Sequence, residues 1–133
     1  MAAPSYPYEI HLNVQHGPLE LIDEKALSDS VKPWFNQTLC RVNESVVRVA
    51  VVEGEYHWHK HDTDDEFFYV VEGDLLIDHC TAPGEDPDAG YQTIDLKPRQ
   101  GFVVPKGVLH RPRSSVRTVI LMVETHAIVP TGS

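Results

Sequence analysis

His57, His59 and His61 alternate along Tyr56-His57-Trp58-His59-Lys60-His61, and an acidic segment, Asp62-Thr63-Asp64-Asp65-Glu66, follows directly. Side chains of an extended chain return to the same face every two residues, so this spacing aims three imidazoles one way. One strand can then deliver two or three nitrogen donors to a point, and a nearby carboxylate can complete the set. The spacing predicts a metal site here, with a missing ligand elsewhere in the chain. Asp62–Asp65 is turn-like. A reversal or bulge there lets Glu66 face the pocket although its number is even and the histidines' are odd. Phe68 and Val70 then share the face of Glu66, while Phe67, Tyr69 and Val71 take the other.

A second cluster runs Gly101-Phe102-Val103-Val104-Pro105-Lys106-Gly107-Val108-Leu109-His110-Arg111-Pro112. Pro105-Lys106-Gly107 is a tight-turn signal between two strands. His110 follows near the start of the second strand, and antiparallel pairing can bring it beside His59 and His61.

Together the two clusters resemble the paired motifs of the cupin superfamily, G-x5-HxH-x3-4-E-x6-G and G-x5-PxG-x2-H-x3-N. His59, His61, Glu66 and Gly73 match the first, and Pro105, Gly107 and His110 match the second. Gly54 and Gly101 are displaced from their motif positions, and Ser114 stands in place of the final Asn. All of these are turn or support positions. The resemblance implies an all-β double-stranded β-helix, a jelly-roll cupin barrel with metal in its mouth, and ligands His59, His61, Glu66 and His110. Three imidazoles and a carboxylate suit one divalent transition metal, Fe, Mn, Ni, Co or Zn. Four protein ligands on an octahedral ion leave two positions open.

His57 has no assigned place in that motif. It reads either as a pocket residue, acting as a catalytic acid/base or supporting the ligands, or as a strand residue near the rim. Glu55 is a second candidate for moving a proton. Trp58 and Lys60 fall on the opposite face, with Trp58 as core or interface. His11, His16, His79 and His126 read as ordinary surface or packing histidines.

Small cupins with a Trp58-His59-x-His61 and Asp65-Glu66-Phe67-Phe68 pattern are described as mannose-6-phosphate-isomerase-like. A phosphosugar calls for Arg or Lys aimed into the pocket. Lys60, Arg111 and Arg113 alternate away from the histidines, and Lys106 sits in a turn. The expected pocket therefore has few cations and is bounded by Phe68, Val70 and Val108. It suits a small-molecule substrate with an apolar face and oxygens for the metal. Isomerase-, lyase- or dioxygenase-type chemistry fits, and so does a non-catalytic small-molecule or sugar-binding module, because a fold hosts many functions.

The elements that must position these residues are mostly short strands rich in Val, Ile, Tyr and Phe: Leu39–Val42, Val46–Glu53, Tyr56–His61, Phe67–Val71, Leu75–Cys80, Tyr91–Leu96, Phe102–Val104, Val108–Pro112 and Arg117–Ala127. Gly, Pro, Asp and Asn separate them, the signature of an antiparallel sandwich or barrel. Residues 1–37 form an N-terminal arm, with a strand near Glu9–Val14, and one short helix. Asp23 caps that helix, and Pro33 ends it near Val31. Residues 38–127 form the barrel and 128–133 a tail. Thr81–Gly90 is a solvent-facing hairpin loop.

The chain has 133 residues, enough for one domain with a real core, and a formal net charge of −9 from 20 acidic and 11 basic residues. That balance argues against nucleic acid and anionic membrane as partners. No apolar run reaches the roughly 20 residues of a membrane helix. The N-terminus lacks a signal-peptide pattern. Cys40 and Cys80 lie in no motif and read as half-buried thiols of a reducing, cytoplasmic setting. Asn36-Gln37-Thr38 and Asn43-Glu44-Ser45 read as chance glycosylation patterns. The homodimer common among small cupins is expected, with Trp34, Phe35 and Trp58 as candidate interface residues and the arm as a strand for exchange.

Overall fold

In the computed structural model residues 6–133 are described, and the first five residues of the expected arm lie outside them. Eight strands form one sheet that rolls up as an all-β jelly roll. They are β1 (Glu9–His11), β2 (Phe35–Val42), β3 (Ser45–Glu55), β4 (Glu66–Glu72), β5 (Leu75–His79), β6 (Gln92–Leu96), β7 (Gly101–Val104) and β8 (His110–Thr125). β8 organises the fold. Its first residues pair with β5, and its remainder lies between β3 and β4, all antiparallel. β7 flanks β4 and β6 flanks β5.

Alternation explains both packed faces. Even-numbered Ala50, Val52, Phe68, Val70, Ile120 and Met122 point inward and meet Leu75, Ile77, Leu96, Val104 and Val108 in the core. Odd-numbered Val49, Val51 and Val119 point outward and are covered by Ile22, Leu27 and Val31. The helix α1 (Glu24–Ser28) supplies part of that cover. Asp23 caps it as expected, accepting from the Ala26 N–H at 3.0 Å, but it stops at Ser28, short of Val31.

Three expectations change. First, Val108–Pro112 and Arg117–Ala127 are one strand, because Ser114 is buried and its hydroxyl donates to the Val52 carbonyl instead of turning the chain. Second, Tyr56–His61 is not a regular strand. It runs extended beside β8 and pairs there only at Tyr56 and at the His59–His110 bridge. Third, the arm lies along its own chain. β1 pairs in parallel with Phe35–Gln37, and the Gln15 and His16 N–H groups donate to the carbonyls of Thr38 and Leu39. Phe35 is buried, and Trp34 is partly buried against the core.

Thr81–Gly90 is largely exposed and links β5 to β6, with a 3-10 turn at Pro87–Ala89. Cys40 is half-buried, Cys80 is fully buried, and both are free. Among the described residues no helix is long and apolar enough to cross a membrane.

Candidate metal centre

His59, His61, Glu66 and His110 converge. Each offers one ligand atom, and these atoms all lie within 4.8 Å of one another. Three parts of the chain supply them: the extended segment after β3, the first residue of β4 and the first residue of β8. The His59–His110 bridge, with N–O distances of 3.0 and 2.9 Å in its two directions, locks two of these parts together. Glu66 reaches the inside because the turn at 62–65 resets the parity, as the sequence predicted. The Asp65 carboxylate ties that turn to the second motif by accepting from the Lys106 N–H.

The donor chemistry of the cluster fits a metal ion. The Nδ1–H of His59 donates to the His57 carbonyl and that of His110 to the Val108 carbonyl, each at 3.0 Å. Both rings are thereby fixed in the tautomer that leaves Nε2 as a lone-pair donor. His110 Nε2 and His61 Nε2 lie 3.3 and 3.4 Å from the same Glu66 oxygen. His61 is buried, and neither of its ring nitrogens makes a hydrogen bond. Buried polar atoms without partners are costly, and a cation at this point would satisfy them. The cluster could therefore hold a metal ion. Burial, with the neighbouring His110, lowers the His59 pKa to about 3, which keeps it a neutral, metal-ready imidazole. Burial pushes the Glu66 carboxyl up, but the His110 and His61 imidazoles beside it outweigh this and hold the group well below the usual carboxylate range.

His57 lies outside this set. Its Nε2–H donates to the Thr131 carbonyl at 2.7 Å, and its Nδ1 is 3.2 Å from the Tyr8 hydroxyl. Its ring stacks on Tyr6 and Tyr56. Glu55 is exposed and faces Arg111. The tail folds back over the ligand segment. Tyr56 Oη donates to the Pro130 carbonyl, and the Ser133 N–H donates to that of Lys60.

A small apolar cavity of about 40 Å³ opens beside the cluster. His59, Glu66 and Phe68 line it together with Ala50, Val52, Tyr56, Ile120, Met122 and Pro130. Val70 and Val108 are not among its lining residues and lie buried in the core. Among the described residues no Lys or Arg lines the cavity. Arg111 and Arg113 instead grip buried Asp78 on the other side of β8, at 2.8 Å each, and Arg111 stacks over Trp58. Lys60 pairs with Asp62 at the surface.

Two functional-site neighbours escaped the sequence reading. Glu124 and Asn36 also line the cavity, and buried Arg48 stands behind Glu124 with Nε 2.6 Å from its Oε1. Burial, with the negative Glu66 alongside, pushes the Glu124 carboxyl up to about 10. The available signal was a lone charge at inward parity within an apolar run: Arg48 in Val46–Val52 and Glu124 after Val119–Val123.

Comparison with known proteins agrees with this geometry. The family model described as "Cupin domain" matches residues 45–124. The uncharacterized protein YdbB of Bacillus subtilis (strain 168) is 45% identical over 100 residues, covering 74% of this chain and 80% of YdbB. A crystal structure of a cupin-2 domain containing protein from Shewanella frigidimarina superposes with a TM-score of 0.66 at 29% identity, covering 79% of this chain and 94% of that one. At the level of fold, hydroquinone 1,2-dioxygenase PnpCD, solved with Cd2+ and 4-hydroxybenzonitrile, superposes with a TM-score of 0.64 at 20% identity, covering 100% of this chain and 94% of that one.

Proposed function

The chain belongs to the cupin domain family, and from that premise we propose that it is a metal-dependent enzyme acting on a small oxygenated organic molecule by isomerase-, lyase- or dioxygenase-type chemistry. The observation that carries this reading is a buried His59/His61/Glu66/His110 cluster that opens onto an apolar cavity without cations. The four side chains would hold one divalent transition metal. Bound there, it supplies Lewis-acid polarisation of a substrate oxygen or, if redox-active, a route to O₂. The protein's own share is positional. Phe68, Ile120 and Met122 pack the substrate's apolar body and exclude water. Tyr56 and the folded-back tail narrow the mouth. The absence of cations along the wall disfavours a phosphorylated substrate. PnpCD, a neighbour in fold, is a dioxygenase solved in complex with a small aromatic molecule.

One observation favours a second reading, a non-catalytic small-molecule binding module. Both ring nitrogens of His57 are engaged, which leaves no free base at that position. Two copies pair as a homodimer in either reading. The outward face supports this: Phe67 sits between partly exposed Val103 and Val123.

The test begins with elemental analysis of protein purified without chelator or immobilised nickel, followed by oxygen-uptake and product screens on small hydroxylated compounds. Close to one equivalent of transition metal with turnover supports the enzyme. Metal and tight ligand binding without turnover under any metal supports the module. Folded protein that takes up no metal from any of the five ions overturns both. Sedimentation equilibrium reports the dimer.

A further inference from the structure

We propose that Glu124, backed by Arg48, is a ligand-anchoring residue that receives a hydroxyl adjacent to the ligand oxygen held at the metal cluster. The pocket would then select small, mostly apolar molecules with two neighbouring oxygens, such as a vicinal diphenol, diol or hydroxyketone. This rests on the reading of His59, His61, Glu66 and His110 as a metal centre.

The first ground is register. β4 and β8 pair Phe67 with Val123 and Phe68 with Met122. The next step places Glu66 beside Glu124, and both side chains are inward-facing and buried. Directly opposed residues of antiparallel strands hold their Cβ atoms about 4.5–5.5 Å apart. A group next to Glu66 is thus within reach of Glu124, and oxygens on adjacent carbons span that interval.

The second ground is an unmet hydrogen bond. Glu124 is 3% exposed, and neither of its carboxyl oxygens has a hydrogen-bond partner. Arg48 Nε lies close to Oε1 but too far off line to bond it, and its Nη1 is spent on Thr38 Oγ1 at 2.7 Å. Arg48 therefore pins the carboxyl without donating to it, and beyond a proton shared with Glu66 no protein group completes it. Asn36 Oδ1 is a second unpartnered buried acceptor among the lining residues. Buried acceptors of this kind are normally bonded.

The third ground is selectivity by exclusion. Apart from the metal cluster's own residues, the remaining wall is chiefly hydrocarbon from Ala50, Phe68, Ile120 and Met122. A ligand hydroxyl is the donor that completes Glu124, and an apolar body fills the rest. Arg48 reaches the pocket only through Glu124, so an anionic group meets the carboxyl first.

The test uses the full-length protein loaded with zinc, its occupancy measured, and titrated calorimetrically with catechol and with 2-methoxyphenol. Methylation removes one of the two adjacent hydroxyl protons. The paired variant Arg48→Met/Glu124→Leu replaces the buried Arg48–Glu124 pair with side chains of similar volume, an exchange that buried pairs commonly tolerate. The expected result is that wild type prefers catechol and that the paired variant, at equal zinc occupancy, loses that preference by about tenfold or more. A preference unchanged in the variant assigns it to chelation alone and overturns the anchoring role while leaving the metal centre in place. Binding of neither phenol to zinc-loaded wild type overturns the anchoring role, whereas wild type that takes up no zinc overturns the metal centre on which it rests. If the variant does not fold, the crystal structure of the wild-type zinc–catechol complex decides. A catechol oxygen within hydrogen-bond distance of Glu124 supports the role, and both oxygens beyond that distance overturn it.

Discussion

His61 carries the clearest chemical message at the scale of single residues. It is buried among two other imidazoles and a carboxylate, and both its nitrogens lack hydrogen bonds. Replacing His59 or His61 by Ala should weaken metal binding by at least about 100-fold, since each removes a direct donor where supporting residues alone cost 10–100-fold. Competition with a metal-sensitive dye, alongside circular dichroism to confirm the fold, reads this out. Protons report on the same interior. Folded His59 titrates at about 3, against 6.5 for the free side chain. The unfolded chain holds the extra proton between those values, so the contribution of His59 to metal-free stability is present above 6.5 and lost as pH falls towards 3. Glu124 has the opposite sign. Its folded pKa of about 10 lies above the ordinary 4.5, so its contribution is full below 4.5 and is lost as pH rises through 10. Urea unfolding of chelated protein should therefore show stability falling from pH 7 to 10, by at most about 1.4 kcal/mol per pH unit per proton. Glu124→Gln, which cannot ionise, should flatten that slope.

Two glycines of the motifs set the geometry at the scale of elements. Gly73 joins β4 to β5 with φ +96°, and a Cβ built there would lie 2.4 Å from Thr118 Oγ1 and 2.7 Å from its Cα. Thr118 cannot retreat, because it is buried in β8 and its hydroxyl donates to the Asp74 carbonyl. Gly73→Ala should destabilise the fold by roughly 2 kcal/mol or more through combined strain and overlap. A drop in the urea midpoint at constant m-value would confirm it. Gly107, at φ +79°, turns the chain into His110, and a Cβ there would meet only the Pro83 ring at 3.1 Å. Gly107→Ala should cost less, chiefly the left-handed backbone term of about 1 kcal/mol. The segment 56–61 shows the limit of periodicity. Alternation placed His59 and His61 on one side, yet the segment is bonded to β8 at separate points and not as a ladder. His57 is consequently free to turn towards Tyr6, Tyr8 and the tail.

Metal and fold are coupled at the scale of the whole molecule, because the four ligands come from three separated stretches of chain that converge only in the folded state. A metal that binds only the native form should raise stability by about 2.7 kcal/mol at 100 times its Kd. Chelation should accordingly lower the melting temperature by several degrees, and re-addition of the ion should restore it. His110→Ala protein should show no such response in differential scanning calorimetry. The arm, the helix and the tail all pack on the barrel from outside its core, so the site is closed by segments at both ends of the described chain. Tyr56→Phe, which severs the bond to Pro130, should loosen that closure at a cost of about 1 kcal/mol. Faster hydrogen exchange at the Ser133 amide, which donates to the Lys60 carbonyl, would be its signature.

The sequence by itself determined the strand-rich class, the inward parity of Phe68 and Val70, and the candidate ligands. These properties are local: period-two alternation, turn residues and motif spacing are written in consecutive positions. Ser114-Ser115 already marks where local reading fails, since the pair looks like a turn, yet Ser114 is buried and both lie in an unbroken β8. Only the tertiary structure decided which side chains beyond the motifs share the pocket. Arg48, Asn36 and Glu124 belong to three different strands, and no spacing along the chain relates them. Register across β2, β3, β8 and β4 brings them to one interior, and a register is a property of pairing between distant segments. The same reason separates His57 from its neighbours. Its number gives it the ligands' parity, while Tyr8 and Thr131, far away in the chain, take both of its nitrogens.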